Sequence, residues 1–185
     1  MLPDIGLEDK DKRILLETAR ESIASKLEGR KPVYNSPTAA LSGEFGAFVT
    51  LRIRGRLRGC IGILDGAQEI FQSIKNIARS SAFNDPRFPP VTRTEFGEVR
   101  IEISVLTPME REDAPNAVEV GKHGLYVKQG TLSGILLPQV AAEQGWDREE
   151  FLSATCKKAG LDGDAWRDDH VDLYTFSAVV FSEET

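Results

Sequence analysis

The stretch from Ala47 to Ile63, AFVTLRIRGRLRGCIGI, alternates apolar and other residues on both sides of a glycine, and such a chain is constrained to build a β-hairpin there. Ala47, Val49, Leu51 and Ile53 share one face. An odd loop, Arg54-Gly55-Arg56, would keep Leu57, Ile61 and Ile63 on the same side. The opposite face then carries Phe48, Thr50, Arg52, Arg58 and Cys60, with Arg52 opposite Arg58 and Thr50 opposite Cys60. Two directly opposed arginines repel, an arrangement that makes sense with solvent or an anionic group between them.

The rest of the chain gives a matching pattern. Ile14, Leu15, Ile23, Ala24 and Leu27 recur at helical spacing and predict a helix over 7–27, ended by Gly29. Ile70, Phe71, Ile74, Ile77 and Ala78 predict a second. Pro86, Pro89 and Pro90 make 85–94 a stiffened loop. In the strand that follows, Val99, Ile101, Ile103 and Val105 share one face, and Arg100, Glu102 and Ser104 the other. Leu125 to Lys128 and Leu132 to Leu137 form a hairpin turning at Gln129-Gly130, followed by a short helix. Asp147 with Glu150 is a capping box that opens a helix ending near Gly160, with Phe151, Leu152, Thr155, Cys156 and Ala159 along one side. VDLYTFSAVVF closes the chain as one strand interior to a sheet. Helices do not alternate regularly with strands, so the fold class is α+β, a mostly antiparallel sheet flanked by helices.

Composition narrows the function. With 23 Lys plus Arg against 29 Asp plus Glu, the net charge of -6 argues against coating a nucleic-acid duplex. Arg52, Arg54, Arg56 and Arg58 are the one local basic concentration, able to hold a small anion. Two cysteines without a leader ahead of them, and no stretch of about 18 apolar residues, predict thiols in the cytoplasm and no membrane span. Two Cys and two His at no recognised ligand spacing predict no metal, and the glycines fit no phosphate-binding loop, so no cofactor is expected.

Six ordered blocks carry a resemblance: LRGCIG (57–62), DPRFPPV (85–91), EISVLTP (102–108), KHGL (122–125), LLPQVAAEQGWDREEFL (136–152) and CKKAGL (156–161). Together they resemble the AMMECR-one domain family, named for the human AMME-syndrome candidate-region protein. The resemblance implies a single domain over 1–185, built of two unequal subdomains sharing a cleft. It carries no settled biochemical activity. It does imply association with a Memo-like protein and a radical SAM protein, and it brings a suggested role in transcription or nucleic-acid handling.

The residues themselves leave three functions open. The first is a binding domain for a ligand or protein, with Thr50, Arg52, Arg87, Glu102, Ser104 and Gln139 lining a site near Cys60. An arginine on a proline-stiffened loop, as Arg87 is, can grip a carboxylate or phosphate at low entropic cost, or pair with Asp85 instead. The second is an enzyme using Cys60 as nucleophile, Arg58 as the charge that favours thiolate and His123 as base. Against it stands Cys60 as a small hydrophobe packed between Gly59 and Gly62. The third, nucleic-acid binding through Arg52 to Arg58, lacks both a phosphate track and a stacking platform.

Overall fold

The computed structural model describes residues 5–183, which divide into two compact units. One is residues 107–178; the other, larger, combines the residues before 107 with those from 179 onward. In chain order the elements are α1 (Asp9–Glu28), β1 (Ala47–Ile53), β2 (Arg56–Ile63), α2 (Ile70–Phe83), α3 (Arg93–Phe96), β3 (Val99–Leu106), β4 (Glu110–Arg111), β5 (Gly124–Gln129), β6 (Leu132–Leu136), α4 (Pro138–Gln144), α5 (Arg148–Lys158), β7 (Asp172–Phe176) and β8 (Ala178–Ser182).

The larger unit is a four-stranded sheet, order β2-β1-β3-β8, with α1 and α2 packed on one face. Val49, Leu51, Ile101 and Ile103 are fully buried on that face against Leu15, Ile23 and Ile74 of the helices, as the alternation requires. A Cβ at Gly59 would lie 2.2 Å from the Ser81 carbonyl oxygen, so glycine there lets the α2 backbone rest directly on β2. Ser81 strengthens the seam: its hydroxyl donates to the Val49 carbonyl at 2.8 Å and accepts from the Ile61 amide at 3.0 Å.

The first hairpin differs from expectation in an instructive way. Its loop has two residues rather than three, Arg54 at φ 49° and Gly55 at φ 77°, the positive angles that tight hairpin turns demand. Ile53 therefore pairs with Arg56 and Arg52 with Leu57; the register then slips between Leu51 and Arg52, so that Leu51 faces Gly59 and Thr50 faces Cys60. Arg58 is the extra, bulged residue. The shorter loop and the bulge shift the register in opposite senses and cancel, which is why Thr50 opposite Cys60 holds. Arg52 opposite Arg58 does not, and Leu57 sits across from Arg52, 37% exposed, instead of beside half-buried Ile61.

Two other segments depart from the sequence reading. The proline loop is shorter than 85–94, because Thr92 and Glu95 form a reciprocal capping box that starts α3. VDLYTFSAVVF is two strands in two sheets: β7 is interior in the smaller unit and β8 lies at an edge in the larger.

The smaller unit is a second sheet, order β4-β7-β5-β6, covered by α4 and α5. Its core joins Leu125 and Val127 to Phe151, Leu152 and Cys156, and the Asp147–Glu150 capping box opens α5 as predicted. The β5–β6 hairpin turns at Gly130-Thr131, since Gln129 already pairs with Leu132. At the mouth of this unit, Thr107 donates its amide to the Ser177 carbonyl at 2.9 Å, and Ser177 returns its own amide to the Thr107 hydroxyl at 2.8 Å. Among the described residues no helix is long and apolar enough to cross a membrane.

Candidate functional site

Cys60 lies on β2, an edge strand, where backbone groups facing outward need partners other than a neighbouring strand. Side chains from the DPRFPPV loop supply them. The Cys60 amide donates to Asp85 Oδ2 at 2.8 Å, and its carbonyl accepts from Arg87 Nη2 at 3.0 Å. Asp85 is 4% exposed and also accepts from Arg87 through the backbone N–H, Nε and Nη2, at 3.0, 3.0 and 2.7 Å. The guanidinium hydrogen-bonded to it holds the Asp85 carboxyl well below the usual carboxylate range, although burial alone would push it up. Reciprocally, Asp85 raises the pKa of Arg87, and the Cys60 thiol adds to that rise.

Arg87 is thus fixed on one side and open on the other, with its side chain 54% exposed. Phe88 follows it, and the guanidinium carbons of Arg87 and Arg58 lie 5.5 and 6.0 Å from the centre of that ring. Arg58 reaches the same loop from the bulge. Its Nη2 donates to Glu95 at 2.6 Å and to the Pro90 carbonyl at 3.4 Å, while Nη1 is buried without an acceptor. The guanidinium hydrogen-bonded at Cys60 is therefore that of Arg87, and Arg58 braces the loop.

On the sheet face, Cys60, Thr50 and Glu102 form one row across β2, β1 and β3. Thr50 is buried and its hydroxyl donates to Cys60 Sγ at 3.3 Å. One row along lie Gly62, Phe48 and buried Ser104; one row the other way lie Leu57, Arg52 and Arg100. A Cβ at Gly62 would be 2.3 Å from the Phe48 ring, so that ring covers the glycine. The remaining candidates belong to the smaller unit: His123 Nδ1 accepts the Glu119 amide at 3.2 Å, and Gln139 stands in the first turn of α4. Cys156 is fully buried in the core, and burial pushes its thiol pKa up.

The structure therefore brings together Cys60, Thr50, Glu102 and Arg87, sets Arg52 and Ser104 a row to either side, and leaves His123 and Gln139 on the other unit. Among the described residues no group of three His, Cys, Asp or Glu side chains could hold a metal ion. Sequence reasoning missed Asp85 as the organiser, although the motif held the signal: a carboxylate two residues ahead of an arginine closes a local ring. Glu95 and Ser81 carried no such signal, because their partners lie 37 and 20 residues away in the chain.

Chemically, this arrangement offers a fixed cation with a free side and a thiol that accepts a hydroxyl hydrogen bond. Asp85, ionised and accepting four hydrogen bonds, is no general base. Comparison with known proteins adds kinship. The AMMECR1 profile matches residues 16–181. A protein of Nanoarchaeum equitans is 41% identical over 180 residues, spanning 92% of this chain and 99% of its own. One of Methanopyrus kandleri is 42% identical over 92% of this chain and 87% of its own. The crystal structure of an uncharacterised Pyrococcus horikoshii protein superposes with a TM-score of 0.90 at 39% identity, covering 96% of this chain and 94% of that one. With the profile spanning both units and the LRGCIG and DPRFPPV blocks forming one clamp, the chain belongs to the AMMECR1 family.

Proposed function

We propose that the protein is a cytoplasmic binding domain whose larger unit holds an anionic group, a carboxylate or a phosphate, on the open side of Arg87 beside Cys60. The observation that carries this reading is the half-exposed guanidinium pinned by Asp85 and the Cys60 carbonyl, since a prefixed arginine loses little entropy when it binds. Phe88 adds an apolar wall. A Memo-like protein and a radical SAM protein, the partners that the family resemblance implies, are the first proteins to offer as sources of that group.

Titrating the protein with inorganic phosphate, and separately with acetate, should shift the Arg87 Nε–Hε and Cys60 amide NMR signals saturably and together. Shifts spread evenly over all arginines, or none that saturate, sink the reading.

A second reading treats Cys60 as a nucleophile, favoured by the Thr50 hydroxyl that donates to Sγ and orients it. It predicts that a mild alkylating reagent labels Cys60 in the folded protein well before the buried Cys156. Equal resistance of the two thiols between pH 7 and pH 8 removes this reading.

A further inference from the structure

Both tryptophans of the chain stand in the wall of one cavity in the smaller unit. Trp146 lies just before α5, its amide donating to the Ala141 carbonyl at 3.0 Å, and Trp166 lies beyond the end of α5 in a single helical turn, Ala165–Arg167. Each ring packs on the core of this unit yet stays half-buried. Between them α5 supplies Glu149, Ser153 and Lys157, spaced four apart on one stripe of the helix. A Cβ at Gly163 would meet Ser153 Oγ at 2.6 Å and Lys157 Cε at 2.8 Å, so glycine lets the loop that carries Trp166 lie directly on that stripe. The resulting cavity has about 600 Å³, the size of an ordinary small-ligand site. A second hollow of about 350 Å³, beside Pro115 and Asn116, shares Trp166 and Glu149 with the first.

One cation of the chain already occupies part of this cavity. The guanidinium carbon of Arg167 stands 4.3 Å from the centre of the Trp166 ring, and its Nη2 meets Glu149 at 3.1 Å. The chain itself thus displays a chemistry that the cavity accepts, a planar cation on an indole face with a carboxylate at its edge. The Arg167 and Glu149 side chains are 60% and 71% exposed, and so open an ion pair exchanges easily for another cation. With Arg167 turned out to solvent, the ionisable lining is Glu149, Glu150 and Asp164 against Lys157, three carboxylates to one ammonium. That balance favours a positive ligand over an anion.

We infer that this cavity binds a guanidinium group carried on an aliphatic stem, which replaces Arg167 over Trp166, pairs with Glu149 and lays its stem toward Trp146. A guanidinium fits better than an ammonium because it is flat and weakly hydrated, so it gives up less water to stack on a ring. The group belongs either to an arginine side chain of a partner protein or to a free guanidino compound. The site lies wholly within residues 107–178 and shares no residue with the Arg87 site, so either reading can fail without the other.

Because the cavity holds both tryptophans, intrinsic tryptophan fluorescence of the full chain reads this place and no other. Titration with Nα-acetyl-arginine amide should change it saturably. The citrulline amide, which keeps the shape and lacks the charge, should bind about tenfold or more weakly. Arg167→Ala should tighten binding of the arginine amide about threefold or more, because it removes the occupant that competes for Trp166 and Glu149. Adding Glu149→Gln to that variant should weaken binding again, and both changes fall on exposed side chains that the fold does not depend on. A Gly-Gly-Arg-Gly-Gly peptide that binds more tightly than the amide assigns the group to a partner protein, and one that binds no more tightly assigns it to a free guanidino compound. No saturable change, equal affinity for the arginine and citrulline amides, or an Arg167→Ala variant that binds no more tightly than wild type would each overturn the inference.

Discussion

Asp85→Asn should lower the stability of the larger unit by about 3 kcal/mol, near the range for breaking a buried charged hydrogen-bond group. The carboxylate accepts from four donors, and an amide can accept from only some of them while turning its own N–H₂ toward another donor. The Cys60 amide or the Arg87 guanidinium is then left without a partner. Chemical denaturation of wild type and variant measures the difference; a change under about 1 kcal/mol would mean that the clamp contributes no more than an ordinary hydrogen bond.

The same residue fixes a pH dependence. The folded-state pKa of Asp85 is depressed, so its contribution is complete above the unfolded carboxylate value of about 3.9 and is lost as pH falls through the lower folded value. The stability gap between wild type and Asp85→Asn should therefore be constant from pH 7 to about pH 5 and shrink below about pH 4. A gap that begins to close near pH 6 would contradict the assignment.

The second large effect is expected from Gly59→Ala. The added methyl would lie 2.2 Å from the Ser81 oxygen and 3.1 Å from its carbonyl carbon, and neither is the end of a flexible side chain. Either α2 lifts from the sheet or β2 moves, and both loosen the Ser81 seam between Ile61 and Val49. A cost of about 3 kcal/mol is expected, at the upper end for overpacking, because backbone must yield. Gly97→Ala is the control: nothing lies within 4 Å of its added methyl and its φ is -61°, so it should be neutral or slightly stabilising. Thermal or denaturant unfolding that ranks the two alike would show that Gly59 is not a contact position.

These effects also show how far the sequence could be read. Alternation identified the buried face of β1 and β3 because burial on one side imposes period two, and it placed Thr50 across from Cys60. It could not locate the bulge at Arg58, since a two-residue turn with one extra residue and a three-residue turn without it align the same distant pairs. The break at Ser177 was equally hidden: apolar residues on both parities fit one interior strand or two strands in different sheets. In the candidate site, Arg87 was legible as a presented cation, and its ion pair with Asp85 as one of two alternatives. That the pair also caps the backbone of Cys60 depends on chain meeting chain 25 residues apart, which no local pattern encodes.

The reciprocal bonds between Thr107 and Ser177 mark the gateway through which residues 107–178 leave and rejoin the chain. During translation this ordering separates the two units in time. The segment 107–178 emerges from the ribosome as one continuous piece with its two ends already meant to meet. The other sheet, by contrast, must wait with β3 as an open edge until its last strand, β8, is made. A nascent chain halted shortly before β8 should therefore expose an unpaired strand, and that stage is where a chaperone or premature self-association would act on this protein.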